Sequence, residues 1–133
     1  MGDRFTTNGA FSWSELLTSD VEGAKKFYRD LLGWEIEDMR VEGMDYSVVR
    51  AGGEEMGGIM AMPPQVPEGM PPHWGTYVTV AEVDSVAAMV PELGGKVLLP
   101  PTDIPGVGRF SVLQDPQGAV LSVITYAPQG VGE

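Results

Sequence analysis

Cysteine is absent from the 133 residues, which excludes disulfides, thiolate metal ligands and thiol nucleophiles. Histidine occurs once, at His73. Basic residues are scarce, eight against nineteen acidic ones, for a net charge of −11. That balance repels nucleic acid and anionic lipid, so neither is expected as a partner, and it attracts cationic ligands. No apolar run approaches the ~20 residues of a membrane span. The opening Met1-Gly2-Asp3-Arg4-Phe5 lacks the apolar stretch of a signal peptide, so a cytoplasmic location is expected. Also missing are a glycine-rich phosphate loop after a strand, paired catalytic carboxylates at a set spacing, and a basic patch.

What the chain does contain is a repeat. Leu32-Gly33-Trp34-Glu35-Ile36 recurs 61 residues later as Leu93-Gly94-Gly95-Lys96-Val97. Tyr46-Ser47-Val48-Val49 recurs 64 residues later as Phe110-Ser111-Val112-Leu113. Two copies of one unit in a single small domain predict pseudo-symmetric halves with a cleft between them. With 43% hydrophobic residues the chain is large enough for one real core.

Residues 11–17 alternate as a strand, with Phe11, Trp13, Glu15 and Leu17 on one face. Ser19-Asp20-Val21-Glu22 reads as a capping box, with Ser19 at the N-cap. Val21, Ala24, Phe27, Tyr28, Leu31 and Leu32 form one helical stripe, and Gly33 is the expected left-handed stop. Strands are predicted over 34–41, 46–51 and 57–62, giving a first module, about 10–62, of β-α-β-β-β order. Residues 63–73, with five prolines, form the linker. The second module, about 74–127, begins with a strand over 75–80. A helix over 83–93 follows, which Pro91 should kink or unwind. Strands over 96–99, 108–114 and 119–126 complete it, with a loop over 100–107 and a β-turn at Asp115-Pro116-Gln117-Gly118. Both termini, 1–8 and 128–133, are expected to fray.

The two βαβββ modules, the segment DVEGAKKFYRDLLG (20–33), and Gly94-Gly95 followed by the Asp115 turn together resemble the vicinal oxygen chelate superfamily. This group includes glyoxalase I, extradiol dioxygenases, fosfomycin-resistance enzymes and bleomycin-resistance proteins. The resemblance covers about residues 10–127. It implies an α+β fold in which tandem βαβββ modules curl into a cup-shaped, partly open mixed sheet, commonly as a homodimer. One such fold serves many chemistries.

In metal-dependent members, four strand positions supply His, Glu or Gln to a divalent ion that polarises two adjacent substrate oxygens. The family's landmarks place these positions at Trp13, Gly58, Gly75 and Ser122. Indole has no lone pair to give, glycine has no side chain, and neutral serine is a poor lone ligand. A slip of one residue turns each side chain to the opposite face. A slip of two brings in Glu15 and His73, but on the last strand only Val120 or Ile124. No metal or other cofactor is therefore expected.

Glu15 on an apolar wall could act as a general base, or it could pair with Arg50 or Arg109. His73 is either a residue of the cleft rim or a catalytic partner of Glu15. Trp13, Trp74 and Tyr77 could line the cleft and stack on planar or cationic ligands, or fill the core. Arg109 at the mouth could hold an anionic ligand group or pair with an acid; Ser122 would complete the lining. Met56, Met60, Met62 and Met70 suit an adaptable wall or packing. The expected function is binding of a small organic molecule, such as a cationic antibiotic, in the cup without a metal. The alternative is a lyase, isomerase or dioxygenase using a displaced metal site or metal-free acid–base chemistry. A non-catalytic partner domain is a third possibility.

Overall fold

The protein is described here by a computed structural model covering residues 3–41, 44–62 and 70–127. The elements run β1 (Phe11–Thr18), α1 (Val21–Leu32), β2 (Glu35–Val41), β3 (Met44–Ala51) and β4 (Glu54–Ala61). They continue as β5 (His73–Thr79), α2 (Val83–Met89), β6 (Lys96–Ile104), β7 (Gly108–Gln114) and β8 (Val120–Tyr126). Each half is thus a βαβββ unit, and the fold class is α+β as expected. By compactness the chain divides into Trp13–Gly75 and a second unit, Thr76–Glu133 with Met1–Ser12. Among the described residues no helix is long and apolar enough to cross a membrane.

In the first unit the strand order is β2-β3-β4-β1. β1 and β4 are parallel, and Glu15 lies opposite Gly58. A parallel pair needs a long crossover, supplied by α1 and the β2–β3 hairpin between them. Gly33 ends α1 in the left-handed conformation, φ 71°. The N-cap is Asp20 rather than Ser19: its carboxylate accepts from the Gly23 N–H at 3.0 Å. Glu22 does not close the capping box but pairs with Lys25 at 2.9 Å.

Leu16, Val49 and Ile59 form this unit's core, covered by Val21, Ala24, Tyr28, Trp34 and Ile36. The helical stripe is narrower than its sequence pattern, because Phe27, Leu31 and Leu32 are 57%, 62% and 52% exposed. Lys25 is buried instead. Its ammonium reaches Asp38 on β2 at 2.8 Å, and Ser47 on β3 donates to the same carboxylate oxygen at 2.8 Å. One carboxylate thereby ties the helix to two strands.

The second unit carries the order β5-β8-β7-β6, with β5 parallel to β8. Val80, Val83 and Val123 form its core, with Val78, Val86 and Leu113 against them. Pro91 acts as expected: α2 ends at Met89, and Pro91 opens a short 3-10 turn over Pro91–Leu93. Asp115 closes the predicted β-turn by accepting from the Gln117 and Ala119 amides, both at 2.9 Å. β6 is longer than predicted and absorbs Pro100 and Pro101, with pairing to β7 irregular between Leu99 and Thr102. As terminal strands of these orders, β2 presents Glu35, Glu37, Asp38 and Arg40, and β6 presents the proline pair.

The described part of the N-terminal segment is not frayed. Gly9 donates to the Thr79 carbonyl at 2.7 Å and Thr79 donates to Ala10 at 2.8 Å. The Asn8 side chain accepts from Ala81 at 2.8 Å, and Phe5 packs edge-on against Tyr126, centroids 4.9 Å apart. Local composition carries no sign of these long-range bonds. The linker residues 63–69, the turn residues Glu42 and Gly43, and the C-terminal 128–133 lie outside the described residues.

Candidate functional site

Strand parity in the first unit sends Leu16, Val49 and Ile59 toward α1 and leaves Trp13, Glu15, Tyr46 and Gly58 on the opposite face. Three of these are joined by hydrogen bonds. The Trp13 indole N–H donates to the Tyr46 hydroxyl at 2.9 Å, and that hydroxyl donates to Glu15 Oε2 at 2.8 Å. The direction of the chain is fixed. An indole N–H can only donate, so the phenol oxygen accepts there and spends its own proton on the carboxylate. Glu15 is accordingly held as an acceptor.

Tyr46 reaches Glu15 across an intervening strand. Gly58 on β4 sits between Val48 on β3 and Glu15 on β1. The phenol of Tyr46 crosses directly above it: a methyl-sized atom added at Gly58 would stand 1.9 Å from the hydroxyl and 2.1 Å from the adjoining ring carbon. Sequence reasoning did not single out Tyr46. The signal was a Gly57-Gly58 pair inside a strand, which marks a close approach by another group.

Trp74 does not share a wall with Tyr77. Its indole N–H donates to the Tyr28 hydroxyl at 3.2 Å, and its ring packs edge-on against Tyr28 and Trp34, centroids 5.5 and 5.9 Å apart. This cluster lies on the helix side of the first unit. The physical reason is parity: residues three apart on one strand point to opposite faces. His73 begins β5 rather than closing the linker, and its Nδ1 lies 2.9 Å from the Pro71 carbonyl. No contact joins His73 to Glu15 among the described bonds.

In the second unit Tyr77 pairs in register with Ser122, and its ring lies 6.2 Å from Phe110. Arg109 points the other way, toward α2. Its guanidinium donates to Asp84 and Asp103, both at 2.9 Å, so it pairs with acids. These two carboxylates, Asp103 foremost, raise its already high pKa. Two surface depressions lie in the first unit. One of about 240 Å³ is lined by Glu35, Ile36, Glu37 and Arg50; one of about 500 Å³ runs beside α1 at Gly23, Lys26, Phe27, Asp30 and Leu31. Neither includes Trp13, Glu15 or Tyr46.

The side chains at the family's ligand positions do not fit a divalent ion. The Trp13 nitrogen is a donor engaged to Tyr46, and the side-chain space of Gly58 is taken by the phenol. Gly75 carries no donor atom, and Ser122 offers a neutral hydroxyl alone. Among the described residues no group of three or more His, Asp or Glu has metal-binding proximity.

Residues 10–123 match the family model described as Glyoxalase/Bleomycin resistance protein/Dioxygenase superfamily. CFP32 of Mycobacterium tuberculosis, provisionally named a glyoxylase, is 44% identical over 122 residues, covering 91% of this chain and 46% of the relative. The anthracycline biosynthesis protein DnrV of Streptomyces peucetius is 28% identical over 127 residues, covering 86% and 46% respectively. The chain thus spans about half the length of these curated relatives. Among solved structures, methylmalonyl-CoA epimerase of M. tuberculosis superposes with a TM-score of 0.67 at 14% identity, covering 93% of both chains. A hypothetical protein of Bacillus halodurans gives 0.70 at 12% identity, covering 93% of this chain and 99% of that one. At such identities the likeness is one of fold.

Proposed function

This chain belongs to the Glyoxalase/Bleomycin resistance protein/Dioxygenase superfamily, and we propose that it binds a small organic ligand on the strand face bearing Trp13, Glu15 and Tyr46, without a resident metal ion. The observation that carries this reading is the fixed direction of the hydrogen-bond chain, which leaves a carboxylate acceptor beside an indole. A carboxylate next to an aromatic ring recognises an organic cation, by charge and by cation–π attraction worth about 0.5–2 kcal/mol. The net charge of −11 raises the local concentration of such a ligand.

A second reading is favoured by the same bonds. A carboxylate held as an acceptor is the state a general base requires, so Glu15 could take a proton from a carbon acid without a metal. The glyoxylase name of the mycobacterial relative supports a lyase-type activity of this kind, whereas the anthracycline name of the Streptomyces relative sets its protein among natural products.

The test is a thermal-shift titration with aromatic amines and their neutral isosteres, followed by recovery of the ligand. A one-site cation at 100 times its Kd should stabilise the fold by about 2.7 kcal/mol and be recovered unchanged. Glu15→Gln should remove the preference for charge, and Trp13→Ala should weaken aromatic ligands by at least about 1 kcal/mol. Conversion of a carbon acid, abolished by Glu15→Gln, would favour the enzyme. Equal binding of neutral isosteres, or a stoichiometric divalent metal whose removal abolishes binding, would overturn the metal-free cation site.

A further inference from the structure

We infer that Gly58 and Tyr46 form a single positioning device, in which the missing side chain of Gly58 is the slot for the phenol that orients Glu15. The inference deepens the proposed site and assigns roles to two residues within it. Its basis is the geometry of four neighbouring atoms groups on β1, β3 and β4. Adjacent strands are about 4.8 Å apart, so β3 and β1 are separated by roughly 10 Å with β4 between. A phenol laid flat over β4 spans that gap and meets a carboxylate coming from the other side. It can lie there only if β4 offers nothing at the crossing point. Gly58 meets this condition, since an added methyl would fall 1.9 Å from the hydroxyl.

Conformation does not explain the glycine. Gly58 is absent from the left-handed glycines, so its backbone would accept an L-residue. Its requirement is space alone. Gly58 also stands at the first-half ligand position that the family resemblance assigns. A ligating side chain there and the Tyr46 phenol would occupy the same volume, so the two arrangements are mutually exclusive. This chain has the phenol.

Tyr46 is a positioning residue in this scheme, acting through Glu15. Its two bonds tie the Trp13 indole and the Glu15 carboxylate to one hydroxyl, with Trp13 as terminal donor. Arg50 of β3 is engaged elsewhere, donating to Glu37 at 2.8 Å and to Glu55 at 3.0 Å. From β3 the Tyr46 phenol is set against Glu15, at 2.8 Å.

The test uses the ligand-free chain, so its outcome is separate from whether any ligand binds. The Glu15 side-chain carboxyl is followed by carbon NMR as pH varies, with Glu15→Gln identifying the signal. The Trp13 indole N–H is followed in parallel, assigned by Trp13→Phe. A hydrogen bond donated to a carboxylate favours its charged form and lowers the pH at which it titrates. Tyr46→Phe should therefore raise the Glu15 midpoint by about 0.5–1 unit and move the Trp13 N–H signal toward that of a solvated indole. Gly58→Ala should reproduce both changes although it alters neither bonding partner. An unchanged midpoint in Tyr46→Phe would overturn the role of Tyr46. Wild-type values in Gly58→Ala would overturn the slot. If Gly58→Ala does not fold, combining it with Tyr46→Ala decides the slot, because the atoms nearest an added methyl all belong to Tyr46: recovery of the fold in the double variant supports the slot, and a double variant that still fails to fold overturns it.

Discussion

Replacing Lys25 tests the fold where sequence and structure differ most. Its side chain is 6% exposed, while its partners Glu22 and Asp38 are 83% and 70% exposed. Because both acids face water, each ion pair contributes about 0.2–1 kcal/mol rather than the larger values of wholly buried pairs. The buried four-carbon stem adds more, at about 0.8 kcal/mol per methylene. Lys25→Met keeps most of the stem and loses the charge, so it should cost about 1 kcal/mol. Lys25→Ala loses both and should cost about 3 kcal/mol. Urea denaturation at pH 7 measures the two values. The pH dependence isolates the electrostatic part. Lys25, chiefly through Asp38, has a raised pKa, so its contribution is present below its ordinary value of about 10.4 and is lost as pH rises through the folded value. Asp38, chiefly through Lys25 and then Ser47, has a lowered pKa. Its contribution is present above about 3.9 and is lost as pH falls through the folded value. The gap between wild type and Lys25→Met should be widest across the neutral range and close at both ends. A gap that is constant with pH, or a Lys25→Met variant as costly as Lys25→Ala, would refute the ion-pair account.

Two further outcomes follow from the described bonds. Asp20→Ala removes the N-cap acceptor of α1 and should cost about 1 kcal/mol in urea denaturation, with Asp20→Asn nearly neutral; a neutral Asp20→Ala would show that the cap bond adds nothing. The Tyr126 phenol has a pKa raised by burial, offset in part by its 2.8 Å bond to Ser12. A raised folded pKa means stability that is present below about pH 10 and lost as pH rises through the folded value. Tyr126→Phe should cost about 1 kcal/mol at pH 7 yet flatten the alkaline loss, as thermal midpoints between pH 7 and 11 would show.

The duplicated βαβββ order was legible because it rests on local chemistry. The α1 periodicity, the Gly33 stop, the Pro91 interruption and the Asp115 turn each encode their own backbone. Where side chains meet was less legible, because it depends on partners distant in sequence. Lys25 reads as a surface residue until Asp38 and Ser47 are placed beside it. Phe27, Leu31 and Leu32 read as core until the width of the strand layer beneath α1 is known. Trp74 and Tyr77 could have been separated by parity alone. Glu15 and Trp13 do share a face and one hydrogen-bond chain, but the tyrosine joining them comes from a strand 31 residues away from Glu15.

The proline pair in β6 has a bearing on how copies of this chain behave when concentrated. An outermost strand with a full row of amides is a template on which a neighbour's backbone can zip up, the first step toward fibres. Pro100 and Pro101 carry no amide hydrogen, and since successive residues of a strand direct their amides to opposite sides, one of the pair removes a donor from the free edge that an incoming strand would need. On β2, the outer strand of the first unit, Glu35, Glu37, Asp38 and Arg40 would have to shed water before a second chain could lie alongside. Both outer strands are guarded, by different means, against the uncontrolled stacking that flat strand edges invite.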